Sequence, residues 1–167
     1  MEDDQQTWQQ GVLEYSRRYE QMADADRSEL DHLINRIMQI KEKMVKMSDA
    51  AGGAAICHTC GGECCLLGKY HFSAFDLLGY RKSGLEPVNA RFTPGKDCPY
   101  SGESGCLMPP RFRPMTCVIF NCQQIEDGMA IIERKVFYEC EQELRAMISE
   151  ASRITGYNLE RPLLLSC

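Results

Sequence analysis

Eight cysteines are concentrated in one part of this chain, between residues 57 and 122. The whole chain has 167 residues and ten cysteines, so this segment holds most of its thiols. Several prolines and glycines interrupt it, and little apolar periodicity is visible. A long loop-rich segment is not easily held together by apolar burial, so we expect the thiols to cross-link it. The eight are Cys57, Cys60, Cys64, Cys65, Cys98, Cys106, Cys117 and Cys122.

The expected compartment decides between metal ions and disulfides as the cross-link. Residues 1–6 carry no basic region followed by the apolar core of a signal peptide. No apolar run approaches the ~20 residues that span a bilayer. We therefore expect a cytoplasmic protein with no membrane partner. Thiols stay reduced in the cytoplasm, so the pattern favours metal binding or catalysis over a disulfide framework.

The net charge of −5 argues against general nucleic-acid binding, which requires a basic face to displace counterions from phosphates. The cysteine segment, residues 57–122, nevertheless carries seven basic and five acidic side chains, so it is the basic part of an acidic protein. Cations lower the pKa of nearby thiols and offset the negative charge of a multi-thiolate site. The charge distribution therefore favours a metal ion or cluster as the partner.

Two amphipathic helices are predicted before the cysteines. Apolar residues recur three or four positions apart over residues 8–22 and again over residues 30–47, which is the helical period. Ser28 and Asp31 have the spacing of a capping box at the start of the second helix. Two such helices pack most simply as an antiparallel hairpin. The alternative is that their apolar stripe pairs with a second copy of the chain or with a partner helix.

Further helical signals follow along the chain. The alanine- and glycine-rich residues 50–55 are expected to end the second helix and act as a hinge. Ser73 and Asp76 form a second capping-box pattern, which opens a short helix. A last helix is predicted over residues 129–155, with Gly156 as its cap. Its expected apolar stripe consists of Ile132, Val136, Cys140, Leu144, Met147, Ala151 and Ile154.

The predicted fold is mainly α, with an N-terminal helical hairpin and a C-terminal helix flanking an irregular cysteine-rich metal-binding core. We expect one compact domain in which residues 1–52, 53–128 and 129–167 take these roles in the order hairpin, core, and helix with tail. Cys140 lies on the apolar stripe of the last helix, so it is predicted to pack as a small hydrophobe. Cys167 is assigned no role.

The cysteine spacing indicates soft-metal chemistry. A Cys-x-x-Cys loop such as that of Cys57 and Cys60 lets two thiolates converge on one ion. The adjacent Cys64 and Cys65 point to different sides of the backbone, which favours a composite centre. Eight thiols could form two four-thiolate zinc sites, or an iron–sulfur cluster with thiols left for a second site. Soft donors exclude magnesium and calcium but do not separate zinc, iron–sulfur and copper(I).

The order of these cysteines, together with Arg113-Pro114 before Cys117, resembles the YkgJ-type cysteine-cluster family, the CxxCxxCC proteins. Members are described as zinc- or iron-chelating domains and are grouped with relatives of the flagellin lysine N-methylases. The resemblance covers about residues 56–123 and implies that the eight cysteines are ligands and that Arg113 and Pro114 support them. This chain has three residues between Cys60 and Cys64, where the family pattern has two.

Three other side chains could contribute to such a site. Arg113 is expected to bind near the cofactor by donating to cluster sulfurs or to nearby carbonyls. His58 and His71 could serve as nitrogen ligands, but eight thiols make them unnecessary. We expect both histidines to be exposed or to support the ligands from outside.

The sequence thus predicts a thiolate metal-binding protein that carries an iron–sulfur cluster, zinc or both. One hypothesis is a redox or protein-modifying iron–sulfur protein resembling the lysine methylases. Against it, no glycine-rich cofactor loop follows a recognisable strand, and no acid–base pair can be assigned. The alternatives are a non-catalytic zinc-stabilised interaction module and a thiol switch or metal carrier. The sequence leaves open whether the protein is an enzyme.

Overall fold

The computed structural model describes residues 2–60, 65–93, 98–102 and 105–165. These parts of the chain are mainly helical, as predicted, with one two-stranded antiparallel sheet. In the described residues the helices are α1 (Glu2–Glu20), α2 (Asp24–Ala50), α3 (Gly53–Cys60), α4 (Ala74–Lys82), α5 (Met115–Ile119), α6 (Gln123–Gly128) and α7 (Ile131–Thr155). The strands are β1 (Ser101–Gly102) and β2 (Gly105–Cys106), and 3-10 turns span Gly68–Tyr70, Pro110–Phe112 and Leu163–Leu165.

The two N-terminal helices do not form the predicted lengthwise hairpin. The main contacts of α1 are with α4 and the Leu163–Leu165 turn, whereas α2 packs along α7. The stripe of α1 is largely aromatic and enters an aromatic cluster. The Trp8 ring lies 6.4 Å from that of Phe72, and its Nε1 donates to the Tyr100 hydroxyl at 2.8 Å. The N–H of a buried tryptophan and the hydroxyl of a buried tyrosine need hydrogen-bond partners. Helix α1 therefore packs on this aromatic cluster instead of along α2.

The start of α2 also differs from the prediction. The helix begins at Asp24, four residues before Ser28, and no side chain caps it. Asp24 and Asp26 lie in the first turn, where carboxylates interact favourably with the helix dipole. The predicted apolar seam is confirmed, because all its residues are buried or packed against the core. They are Leu30, Leu33, Ile37, Ile40, Met44 and Met47. The seam thus packs within the chain, and its pairing with a partner helix stays a prediction.

Helix α7 closely matches its prediction in extent and in its apolar stripe. It ends at Thr155 and is capped by Gly156, which has a left-handed φ of 74°. Cys140 is 6% exposed and belongs to the core, which confirms its packing role. Of the predicted stripe only Ile132 lies outside the core, at 77% exposed. The stripe also includes Phe137, which the prediction left out.

The middle of the chain contains more regular structure and more apolar anchoring than predicted. The hinge is short, since α2 ends at Ala50 and α3 begins at Gly53. The capping box of Ser73 and Asp76 at the start of α4 is confirmed. The proline-rich part is held by its own buried side chains, which correct the expectation that apolar burial would be scarce. They are Ala90, Tyr100, Met108, Phe112, Met115 and Val118.

In the described residues, no helix combines the length and the apolar character that crossing a bilayer requires.

Candidate metal centre

The predicted ligands lie on separate short elements. Cys57 and Cys60 are on α3, Cys106 is on β2 and Cys117 is on α5, and all four are exposed. Cys65 is also exposed. Cysteine is otherwise one of the most frequently buried residue types, so such exposure is not explained by packing. The half-buried candidates are Cys98 and Cys122, and Cys64 lies outside the described residues.

Cys117 lies on α5 with its side chain exposed, so an ion can reach its thiol from solvent. Desolvation by the surrounding protein raises the pKa of this thiol well above the ordinary value. Negative charge on Cys106, Cys98, Asp76 and Cys65 would raise this pKa further. Several thiolates in this region would therefore be stabilised by a bound cation.

The short segment from Gly68 to His71 contacts two of these thiols, those of Cys98 and Cys117. The Nδ1 atom of His71 lies 3.2 Å from the Cys117 sulfur. At the other end, a Cβ on Gly68 would lie 2.7 Å from the Cys98 sulfur, so only glycine fits without a shift. The His71 amide donates to the Gly68 carbonyl at 3.2 Å and closes the turn. Burial lowers the pKa of His71, which favours the neutral, metal-binding imidazole.

The contact of His71 with Cys117 was missed by sequence reasoning, which expected an exposed or supporting histidine. The two residues are 46 positions apart, so no local pattern connects them. The available signal was the spacing of five residues between Cys65 and His71, which could have marked the histidine as a candidate ligand.

Helix α3 brings the first cysteine pair close to the second half of the segment. It packs against β2, which carries Cys106, and against α6, which follows Cys122. The Cys60 sulfur lies 3.6 Å from the Cys57 carbonyl oxygen. Cys60 forms no disulfide, and neither do Cys106 and Cys122. Reduced thiols from both halves thus lie on neighbouring elements.

The thiols share a region without forming a finished coordination shell. In the part of the chain that the structure describes, no three His, Cys, Asp or Glu side chains lie close enough together to hold an ion. The donor set itself fits a soft ion, because thiolates and imidazole suit zinc, iron–sulfur clusters and copper(I).

Buried polar contacts hold the element that carries Cys117. Asp76 accepts from Lys41 Nζ at 2.9 Å, from the Ser73 amide at 3.0 Å and from its hydroxyl at 2.7 Å, and from the Met115 amide at 3.3 Å. One carboxylate therefore joins α2, the start of α4 and the start of α5. Arg113 donates to the Met108 carbonyl at 3.4 Å, which ties together the segment between Cys106 and Cys117. Its role toward a cofactor stays a prediction.

A small cavity lies beside this region. Its volume is about 90 Å³, and its lining includes His71, Thr116, Arg145 and Glu160. Pockets for small-molecule ligands usually measure about 300–1,000 Å³. The cavity is therefore of a size for water or an ion and not for an organic cofactor.

No protein-family model, curated protein or solved structure matches this chain.

Proposed function

We propose that this protein binds a soft transition metal, as zinc or an iron–sulfur cluster, through the thiolates of its cysteine segment. The observation that carries the proposal is the packing of α3, which carries Cys57 and Cys60, against β2, which carries Cys106, with all three thiols exposed. A group of mutually repelling thiolates gains most from a bound cation. When bound, zinc supplies a structural cross-link, and a cluster supplies in addition a site for one electron.

The exposure of the thiols supports ligation over packing. Cys140 provides the internal comparison, because it is 6% exposed and fills a place in the core. The exposed cysteines on α3, β2 and α5 have no comparable place. Such thiols are reactive in solution, and a metal would protect them. The similarity of the cysteine pattern to the YkgJ-type family is a second support, and it suggests iron or zinc.

The fold energetics indicate what the metal would contribute. The proline-rich part is anchored by buried residues such as Phe112 and Met115, so its inner side does not depend on a metal. The thiols lie on its outer side, on two-residue strands and a five-residue helix. Elements this short are rarely stable alone. Metal binding would therefore fix the outer layer of a domain that is already folded.

Anaerobic purification of the full chain tests this proposal. The expected result is a stoichiometric metal content in elemental analysis. Visible charge-transfer absorption with acid-labile sulfide identifies a cluster, and a colourless zinc-containing protein identifies the zinc form. The matched variants are Cys117→Ser, which should lose metal, and Cys140→Ala, which should keep it. Failure to retain or take up zinc, or iron with sulfide, in stoichiometric amounts would overturn the proposal.

A further inference from the structure

We propose that His71 is a nitrogen ligand of this centre and binds the same ion as Cys117, with Cys98 beside the turn that carries the histidine. No three donors converge in the described residues, so the bound ion would draw the remaining thiols in. The inference rests on the proposed metal binding and assigns one set of ligands within it. The site would take a tetrahedral soft divalent ion, with zinc as the natural occupant.

The His71–Cys117 pair already has nearly the geometry of two ligands on one ion. Its nitrogen–sulfur distance is 3.2 Å. Zinc bound at about 2.3 Å to sulfur and about 2.0 Å to nitrogen, with a tetrahedral angle, holds these atoms about 3.5 Å apart. The two side chains thus need to separate by only a few tenths of an ångström to bind an ion between them.

Cys98 is held next to the same turn. The turn that ends at His71 begins at Gly68, whose missing side chain leaves the space that the Cys98 thiol uses. This turn therefore contacts Cys98 at its start and Cys117 at its end. The absence of a side chain at residue 68 is needed for both contacts to be made by so short a segment.

Cys106 is connected to Cys98 through the small sheet. The Ser101 amide donates to the Cys98 carbonyl at 3.2 Å, and Ser101 on β1 pairs with Cys106 on β2. Cys106 is exposed, so its thiol is accessible to an ion from solvent. It is therefore a candidate for a further thiolate ligand of the same ion. An ion would supply the attraction that completes the shell.

Electrostatics favours one imidazole over a fourth thiolate at this place. A zinc ion with four thiolates has a net charge of −2, whereas three thiolates and a neutral imidazole leave −1. Cys98 is only partly exposed, and uncompensated charge is costly where water is partly excluded. The assignment also leaves the first cluster, at residues 57–65, as a separate group of donors.

The test uses the full-length chain loaded with zinc or Co²⁺. X-ray absorption at the zinc edge should show sulfur ligands with a histidine nitrogen in the wild-type protein. His71→Ala should lose this nitrogen and bind Co²⁺ at least about tenfold more weakly. His71→Cys should keep a tetrahedral Co²⁺ spectrum with stronger sulfur charge-transfer bands. The matched control is His32→Ala, on the exposed surface of α2, which should match the wild type.

The outcomes separate this inference from the proposed function. If the wild-type protein binds no metal, the proposed function itself fails. If it binds zinc through sulfur alone, or if the nitrogen persists in His71→Ala, metal binding stands and the assignment of His71 is wrong. Loss of the nitrogen in His58→Ala instead of His71→Ala also overturns the assignment. If His71→Ala does not fold, His71→Cys is measured in its place: loss of the nitrogen signal supports the assignment, and its persistence overturns it.

Discussion

The Nζ atom of Lys41 on α2 lies 2.9 Å from Oδ1 of Asp76 on α4, and their side chains are only 2% and 0% exposed. Asp76 also accepts from the amide of Met115, the first residue of the helix that carries Cys117. The ion pair therefore helps to hold α5, the helix that carries Cys117, against α2 and α4. A buried pair of this kind is sensitive to the loss of either partner, because the remaining charge is left without compensation.

Substitution of Asp76 should destabilise the protein strongly. Asp76→Ala leaves the buried Lys41 ammonium unpaired, and removal of one partner of a buried pair typically costs about 3–5 kcal/mol. The free energy of unfolding in urea measures this loss. The control is Lys135→Ala, which breaks an exposed pair with Glu139 at 3.8 Å and should cost less than about 1 kcal/mol. Similar losses in the two variants would contradict the assigned importance of the buried pair.

Gly68→Ala should disturb the thiol region. The added Cβ would lie 2.7 Å from the Cys98 sulfur, so the turn or the thiol must shift. Such overpacking typically costs about 1–3 kcal/mol, and we expect weaker metal binding as well. Chemical unfolding and Co²⁺ titration measure the two effects.

A second glycine on a regular element provides the control for Gly68→Ala. In Gly79→Ala the nearest atom to the new Cβ is 3.7 Å away, and residue 79 lies inside α4. Alanine is favoured over glycine in a helix by about 1 kcal/mol, so this variant should be neutral or slightly more stable. If both variants lose the same stability, the close approach at residue 68 has no special importance.

Cys117→Ser and Cys140→Ser should have opposite effects on metal content and on stability. Cys117→Ser removes a thiol on the exposed side and should lower the metal content, with little loss of stability in the metal-free protein. Cys140→Ser places a hydroxyl in the core between α7 and its partners, which typically costs about 1–3 kcal/mol, while the metal content stays the same. Metal analysis and thermal unfolding of both variants provide the comparison. Loss of metal in Cys140→Ser would make that residue a ligand.

The metal-free protein should lose stability in alkaline solution. Desolvation raises the pKa of Cys98 and Cys117 above the ordinary value of 9.0, so both thiols lose their protons at a higher pH in the folded protein than in the unfolded chain. As pH rises through that value the unfolded chain binds fewer protons than the folded chain, and stability therefore falls. Urea unfolding at a series of pH values from about 8 to about 10 should show the decline.

Cys117→Ser supplies the reference for this pH dependence, because serine does not titrate in the same range. Its metal-free form should show a smaller decline than the wild type. The metal-bound wild type should show little decline there, since its ligands are already deprotonated. An equal slope in all three samples would contradict the link between the buried thiols and stability.

Local features of the fold were predictable from the sequence because their causes are local. The seam of α2, the capping box of Ser73 and Asp76 and the left-handed cap at Gly156 each depend on residues within a few positions of one another. Helical period, a hydroxyl at the helix start and glycine at its end act regardless of the remaining chain.

Helix partners were not predictable in the same way. An apolar stripe fits any other apolar surface of similar shape, so the seam of α1 was compatible with α2. The hydrogen bond from Trp8 to Tyr100 explains why α1 packs elsewhere. The indole N–H on a buried ring needs a hydrogen-bond acceptor, and Tyr100 provides it. The packing of α7 along α2 was likewise not evident from its apolar stripe, which is compatible with other apolar surfaces.

The sequence by itself determined which chemistry is available to this protein, because its cysteine segment fixes the kind and number of sulfur donors. It also determined where most helices lie. Only the tertiary structure decided which donors are neighbours. His71 and Cys117 are 46 residues apart, and they meet because a short turn fits beneath Cys98 while Asp76 anchors the start of α5. Proximity across such a separation depends on the packing of the whole chain, which no short pattern of residues contains.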